Sequence, residues 1–179
     1  MTAEAQLTTK SWKLDNHHSS VLFSVMCPPT MFRSGFKEFG AELQTDADGN
    51  PTALEGWADV ASIDIPSGTF HDHMMADDIF DGATHSKLTF KSTSITARDG
   101  NAFDVAGELT IKGVTKSVTG HGTWQRASPA WGESIGLAIS AEVDRTDFGV
   151  SWQELLPSGD LSLHNLVEIE LDFRFNSQT

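Results

Sequence analysis

The sequence predicts an all-β domain, an antiparallel barrel or sandwich. Three observations carry that expectation. Apolar and polar residues alternate with a period of two in several segments, the mark of strands with one dry and one wet face. Such segments return about every ten residues. Gly, Asp and Asn turn chemistry, rather than helix-length connections, separates most of them.

In chain order, Val21, Phe23 and Val25 mark a first strand, and Ala41 with Leu43 a second. Asp48-Gly49-Asn50-Pro51 then turns the chain into a strand over 54–65. Residues 67–81, SGTFHDHMMADDIFD, break the period. Phe70, Met74, Met75, Ile79 and Phe80 fall near helical spacing there, behind Ser67, an N-cap residue type. One short helix or two therefore crosses between strands. Leu88 and Phe90 resume the strand pattern, and Asp99-Gly100-Asn101 turns it. Phe103, Val105, Gly107, Leu109 and Ile111 alternate with polar neighbours such as Asp104 and Glu108. Lys112-Gly113 offers a positive-φ hairpin turn into a strand from Lys116 to Trp124. Ile135, Leu137, Ile139, Ala141 and Val143 alternate with the small Gly136, Ala138 and Ser140. A Gly- and Pro-containing excursion over 146–164 has the length of a lid or binding loop. The last strand is the clearest: Val167, Ile169, Leu171, Phe173 and Phe175 alternate with Glu168, Glu170, Asp172 and Arg174.

A chain of 179 residues is one domain's length. Residues 11–176 are expected to form a single domain behind a polar, flexible tail over 1–10. The formal net charge is −13, from 12 basic and 25 acidic residues. That excludes a nucleic-acid partner, because phosphate neutralisation needs clustered Lys and Arg. It also speaks against residence on an anionic membrane. Cys27 is the sole cysteine, so neither an intrachain disulfide nor a cysteine-built metal cluster is available. No apolar run approaches the ~20 residues of a membrane-spanning helix. The N-terminus lacks the basic and apolar regions of an export signal, so the expected compartment is the cytoplasm.

Chemistry-bearing strings are weak. Gly132-Glu133-Ser134-Ile135-Gly136 fits the hydrolase nucleophile pattern, and Asp144 and His164 follow in the right order. That elbow needs a strand before the serine and a helix after it, whereas here a loop precedes Ser134 and a strand follows. His71-Asp72-His73, with Asp77 and Asp78, offers metal donors, but a helix does not put residues two apart on one face. Asp46-Ala47-Asp48-Gly49-Asn50 has the look of a calcium loop, with Pro51 where glycine is needed and Trp57 where glutamate is needed; it reads as a turn. No glycine-rich phosphate loop is present. These strings give no active site, and no cofactor or metal is expected.

Several strings in order resemble the YceI-like family. Trp12-Lys13-Leu14-Asp15, His18-Ser19-Ser20-Val21 and Phe23-Ser24-Val25 are similar to its opening element. Ser34-Gly35-Phe36 with Phe39, then Ser62-Ile63-Asp64 with Asp72-His73, follow in order. His71 stands where arginine is usual, and Met74 or Met75 where leucine is expected. Phe80-Asp81 and Phe90-Lys91-Ser92 continue the likeness. The most specific pieces are Gly107 to Lys116 (GELTIKGVTK) and Asp144 to Gly149 (DRTDFG).

The resemblance implies a lipocalin-like antiparallel β-barrel of about eight strands, its helical segment covering one opening. It also implies a non-catalytic carrier of a polyisoprenoid, a quinone-type chain or a fatty-acid-like amphiphile. Many members are exported, which makes the periplasm the alternative compartment, and some pair as homodimers. The residues fit a dry channel. Phe23, Val25, Phe90, Phe103, Val105 and Leu109 form one half of the expected inward set. Leu137, Ile139, Val167, Ile169, Leu171 and Phe173 form the other. Phe80, Met74 and Met75 would close the mouth, the methionines adapting to an irregular ligand. The small Gly107, Gly136, Ala138 and Ala141 would leave room. Arg33, Lys37 and Arg145 are candidate partners for a head group, with an ion pair to Asp144 or Asp147 the plainer role for Arg145. The alternatives are a stress-related structural barrel with a filled core and, further off, a hydrolytic or metal-dependent enzyme.

Overall fold

A computed structural model describes residues 10–66 and 68–178. The expected tail and the Ser67 cap lie outside the described residues, except Lys10, whose ammonium pairs with Glu133. The alternating segments all become strands, among ten in chain order: β1 (Trp12–Leu14), β2 (Ser20–Cys27), β3 (Thr30–Gly35), β4 (Phe39–Thr45), β5 (Pro51–Asp59), β6 (Lys87–Ala97), β7 (Ala102–Ile111), β8 (Val114–Ala127), β9 (Ser134–Asp144) and β10 (Leu166–Ser177). One short helix, α1 (Gly68–Met74), sits between β5 and β6. The fold is the expected antiparallel β architecture, with two strands more than the pattern reveals. β1 has three residues and β3 shows no apolar alternation, so neither carries a sequence signal. The strand expected over 54–65 stops at Asp59. There the Asp59 carboxylate accepts from the Ala61 N–H and starts a 3-10 turn at Val60–Ser62.

The turns form as their chemistry dictates. Lys112 (φ 52°) and Gly113 (φ 74°) both take positive φ, and Ile111 pairs directly with Val114 across a two-residue hairpin. Gly49 and Gly100 supply the left-handed positions of two further turns.

One sheet holds all ten strands, in the order β3-β2-β10-β9-β8-β7-β6-β5-β4 with β1 added beside β10. The strands β4 to β9 form a meander, and β10 returns between β9 and β2. The two ends of the ladder, β3 and β4, do not pair with each other. The sheet curls, and a different device brings its ends together. β9 occupies one edge of β10, so β1 and β2 share the other, β2 beside Val167–Asp172 and β1 beside Phe175–Ser177. From there Trp12 Nε1 donates to Thr45 Oγ1 of β4 at 3.0 Å. The crossing from β3 to β4 is tied down separately, by Asp64 N–H to Gly35 O (2.8 Å), Lys37 N–H to Ser62 O (3.0 Å) and a bridge between Phe36 and Ile63.

The Trp12 end is solid. Phe175 and Ile135 are fully buried, and Leu137, Phe103, Leu43 and Thr45 nearly so. Phe39 of β4 stacks on Phe173 of β10 (centroids 6.3 Å), and Phe173 meets Phe175 edge-on at 6.0 Å. Further along β7, Gly107 is required by close approach rather than by its backbone angle. A Cβ there would lie 2.5 Å from both the Lys91 carbonyl oxygen and the Phe90 ring. Gly107→Ala is therefore expected to cost about 2 kcal/mol by overpacking. Urea melts check this, and the loss should shrink when Phe90 is cut to Ala in the same chain.

Candidate functional site

The other end of the barrel is hollow. A cavity of about 890 Å³ runs behind the inward faces of β5 to β10 and β2. Packed interiors have few voids larger than a water molecule, and a volume in this range is that of a small-molecule site. The covers come from the two irregular segments. α1 and the turns behind it contribute Phe70, Met74, Ile79 and Phe80, and the loop after β9 contributes Val150, Trp152 and Leu163. The main chain joins the two covers, since the N–H groups of Ser151 and Trp152 both donate to the Asp78 carbonyl at 2.9 and 3.0 Å. Aromatic rings extend the wall from the barrel into α1: Phe23 meets Phe36 (5.7 Å) and Phe32 (6.0 Å), and Phe32 meets Phe70 edge-on at 5.6 Å.

The structure brings most of the expected lining together. Phe23, Val25, Phe90, Val105, Leu109, Ile139, Val167, Ile169, Leu171 and Phe173 face the cavity, with Met74 and Phe80 from its cover. Phe103, Leu137 and Met75 do not. Phe103 and Leu137 point inward as their alternation requires, but they sit at the solid end. Met75 packs its sulfur at Gly82. Of the small residues, Ala141 lines the void, Ala138 faces solvent, and Gly107 is filled by the Phe90 ring. Residues the pattern did not single out include Leu54, Ala58, Phe36 and Trp152. Leu54, Gly56 and Ala58 do alternate inward, but two of the three are too small to register as an apolar face.

Arg145 corrects the plainer of its expected roles. It lines the cavity, but among the described residues it is not half of an ion pair with Asp144 or Asp147. It is buried, and all five of its N–H donors are committed to the loop that follows. Nε reaches His164 O (3.0 Å), Nη1 reaches Val150 O (2.7 Å) and Trp152 O (2.9 Å), and Nη2 reaches Leu163 O and Asn165 Oδ1 (both 3.3 Å). Burial lowers its pKa from the ordinary value, opposed by Asp144. Asp144 itself caps the 3-10 turn at Arg145–Phe148 by accepting from Thr146 N–H at 2.9 Å. Lys37 is engaged with Asp64 at 3.0 Å and does not line the cavity. Arg33 lines it. Burial pushes the Cys27 thiol up from its ordinary pKa, which keeps this wall residue uncharged.

The hydrolase and metal strings are scattered by the fold. Ser134 and Asp144 are the two ends of β9, roughly 33 Å apart along a strand. His71 Nε2 bonds to Ala61 O (2.8 Å), while His73 stacks on Phe70 and meets Trp152 edge-on.

A sequence profile of the YceI-like domain matches residues 12–175. The chain belongs to the YceI-like family. Among its relatives, a UPF0312 protein of Staphylococcus epidermidis is 27% identical over 171 residues, 92% of this chain and 96% of the relative. The crystal structure of Burkholderia cenocepacia BcnA superposes with a TM-score of 0.78 at 25% identity, covering 90% of this chain and 99% of that one. A polyisoprenoid-binding domain from Saccharophagus degradans, implicated in plant cell wall breakdown, shares the fold with a TM-score of 0.66 at 14% identity, over 94% of this chain and 99% of that one. For the YceI-like barrel the ordered strings therefore have structural meaning. GELTIKGVTK is the β7–β8 hairpin, and DRTDFG is the turn that carries Arg145.

Two expectations follow. Leu109→Trp should fill part of the cavity with the fold retained, whereas Leu137→Trp should overpack the solid end and cost on the order of 1–3 kcal/mol or more; thermal melts of the pair separate the cases. Arg145→Met strips the donors from five loop acceptors and should cost about 3 kcal/mol, with proteolytic nicking appearing within residues 150–165.

Proposed function

We propose that this protein binds a long-chain isoprenoid or related amphiphile inside the barrel and carries it without transforming it. The observation that carries the reading is the cavity itself, about 890 Å³ lined mostly by aliphatic and aromatic side chains. A prenyl or acyl chain suits such a wall because it brings no polar atom that must be satisfied. Burying one CH₂ is worth roughly 0.8 kcal/mol, so ~15 of them supply about 12 kcal/mol gross. Ordering the chain and losing its free motion offset a large part, and micromolar or tighter binding remains. The same arithmetic gives weak discrimination between chains of similar length.

Polyisoprenoid binding by the Saccharophagus degradans domain of the same fold supports this ligand class. A filled structural barrel is disfavoured by the hollow. Catalysis has no assembled constellation to rest on among the described residues, since the one ordered Ser-Asp-His string is pulled apart. Leu109, Ile139, Ile169 and Phe90 are the residues proposed to touch the hydrocarbon, and Met74 and Phe80 close over it.

Native purification followed by organic extraction and mass spectrometry tests the proposal. A co-purifying long-chain lipid, displaced by prenyl alcohols and lost in Leu109→Trp, is the expected result. No extracted lipid together with no binding of prenyl probes overturns it.

A further inference from the structure

The cavity touches two kinds of residue, and their distribution follows the topology. On β7 to β10 it meets inward-facing side chains alone, such as Leu109, Ala141 and Ile169. On the strands flanking the unpaired ends of the ladder it also meets outward-facing ones. Leu22 is flanked by the inward Val21 and Phe23. Met31 lies opposite Met26, one position from the inward Phe32–Val25 pair. Trp57 lies opposite Gly40 and Thr89, one position from the buried Ala58. Cross-strand partners share a face, so these side chains are on the outside of the sheet. Arg33 of β3 and Thr89 of β6 are further outward-facing residues of the lining, so these side-chain contacts are confined to β2, β3, β5 and β6, on either side of the gap where β3 and β4 do not pair.

We propose that a bound chain too long for the cavity leaves it through this seam between β3 and β4, and lies along an outer strip of Leu22, Met31 and Trp57, with Arg33 between Met31 and Leu22. The inference rests on the cavity being the ligand site. The three side chains are 40%, 36% and 39% exposed and rank among the chain's exposed large hydrophobics. Scattered surface apolar residues need no explanation, but a set continuous with an internal void does. The strip is also built for a flat contact. A Cβ on Gly40 would lie 2.6 Å from Trp57 Nε1, so the indole rests on bare backbone. The Lys87 ammonium stands 3.9 Å from the ring centroid. It shields the ring while the strip is empty, and at an exposed site such a contact is weak enough for hydrocarbon to displace.

The test compares two prenyl alcohols, short farnesol and long solanesol, each presented from phosphatidylcholine vesicles to wild-type protein, Trp57→Ser and Leu22→Ser. Both substitutions lie on the outer face, and farnesol binding reports that the cavity and fold survive. The expected result is solanesol affinity reduced roughly tenfold in each variant, the equivalent of two methylenes returned to water, with farnesol affinity unchanged. Equal losses for both alcohols, no loss for either, or a wild type that takes farnesol and refuses solanesol overturns the seam. A wild type that binds neither overturns the ligand reading of the cavity, and the seam falls with it.

Discussion

The stack of Phe39 on Phe173 joins opposite regions of a ten-stranded ribbon. β4 is the last strand of the ladder and β10 lies near its other end, so a ring contact between them requires the sheet to curl. With Trp12 bonded to Thr45 beside it, this contact closes one end and leaves the strand edges apart elsewhere. Everything that follows depends on that asymmetry. One end is filled by buried side chains, and the other leaves a cavity of about 890 Å³.

The hollow end is managed by parts unlike the wall. Strand ladders make the wall stiff, because each residue is held by its neighbours on both sides. The cover is irregular chain, and irregular chain must find partners for its main-chain polar groups. Arg145 does this for the loop after β9 by donating to four carbonyls and one side-chain amide at once. A guanidinium is the one side chain with five donors in a rigid plane, so a loop organised this way needs no hydrophobic core of its own. The cover can then be held close over an apolar void without filling it.

How legible this was depends on the kind of information. Facing direction was legible: with a period of two, Leu109, Ile139 and Ile169 could point only one way once the opposite face carried Glu108, Ser140 and Glu170. Depth along the strand was not. Leu137 and Ile139 have the same local pattern, yet one is sealed in the solid end and the other lines the void. Leu137 lies between Phe173 and Trp124, whereas Ile139 lies between Leu171 and the bare Gly122. β1 and β3 were hidden because three residues, or a run without alternation, give no signal. Arg145 was misjudged because a sequence shows the nearby carboxylates and hides the carbonyls of a loop that folds back.

By itself, the amino-acid sequence determined an antiparallel β protein, its hairpin turns, its family membership and the set of side chains that turn inward. These are local properties, set by backbone pleat, positive-φ turns and short ordered strings. The tertiary structure alone decided which inward residues meet and which leave room, where the wall stays unzipped, and what the buried guanidinium holds. Those depend on curvature summed over ten strands, and no window of sequence contains it.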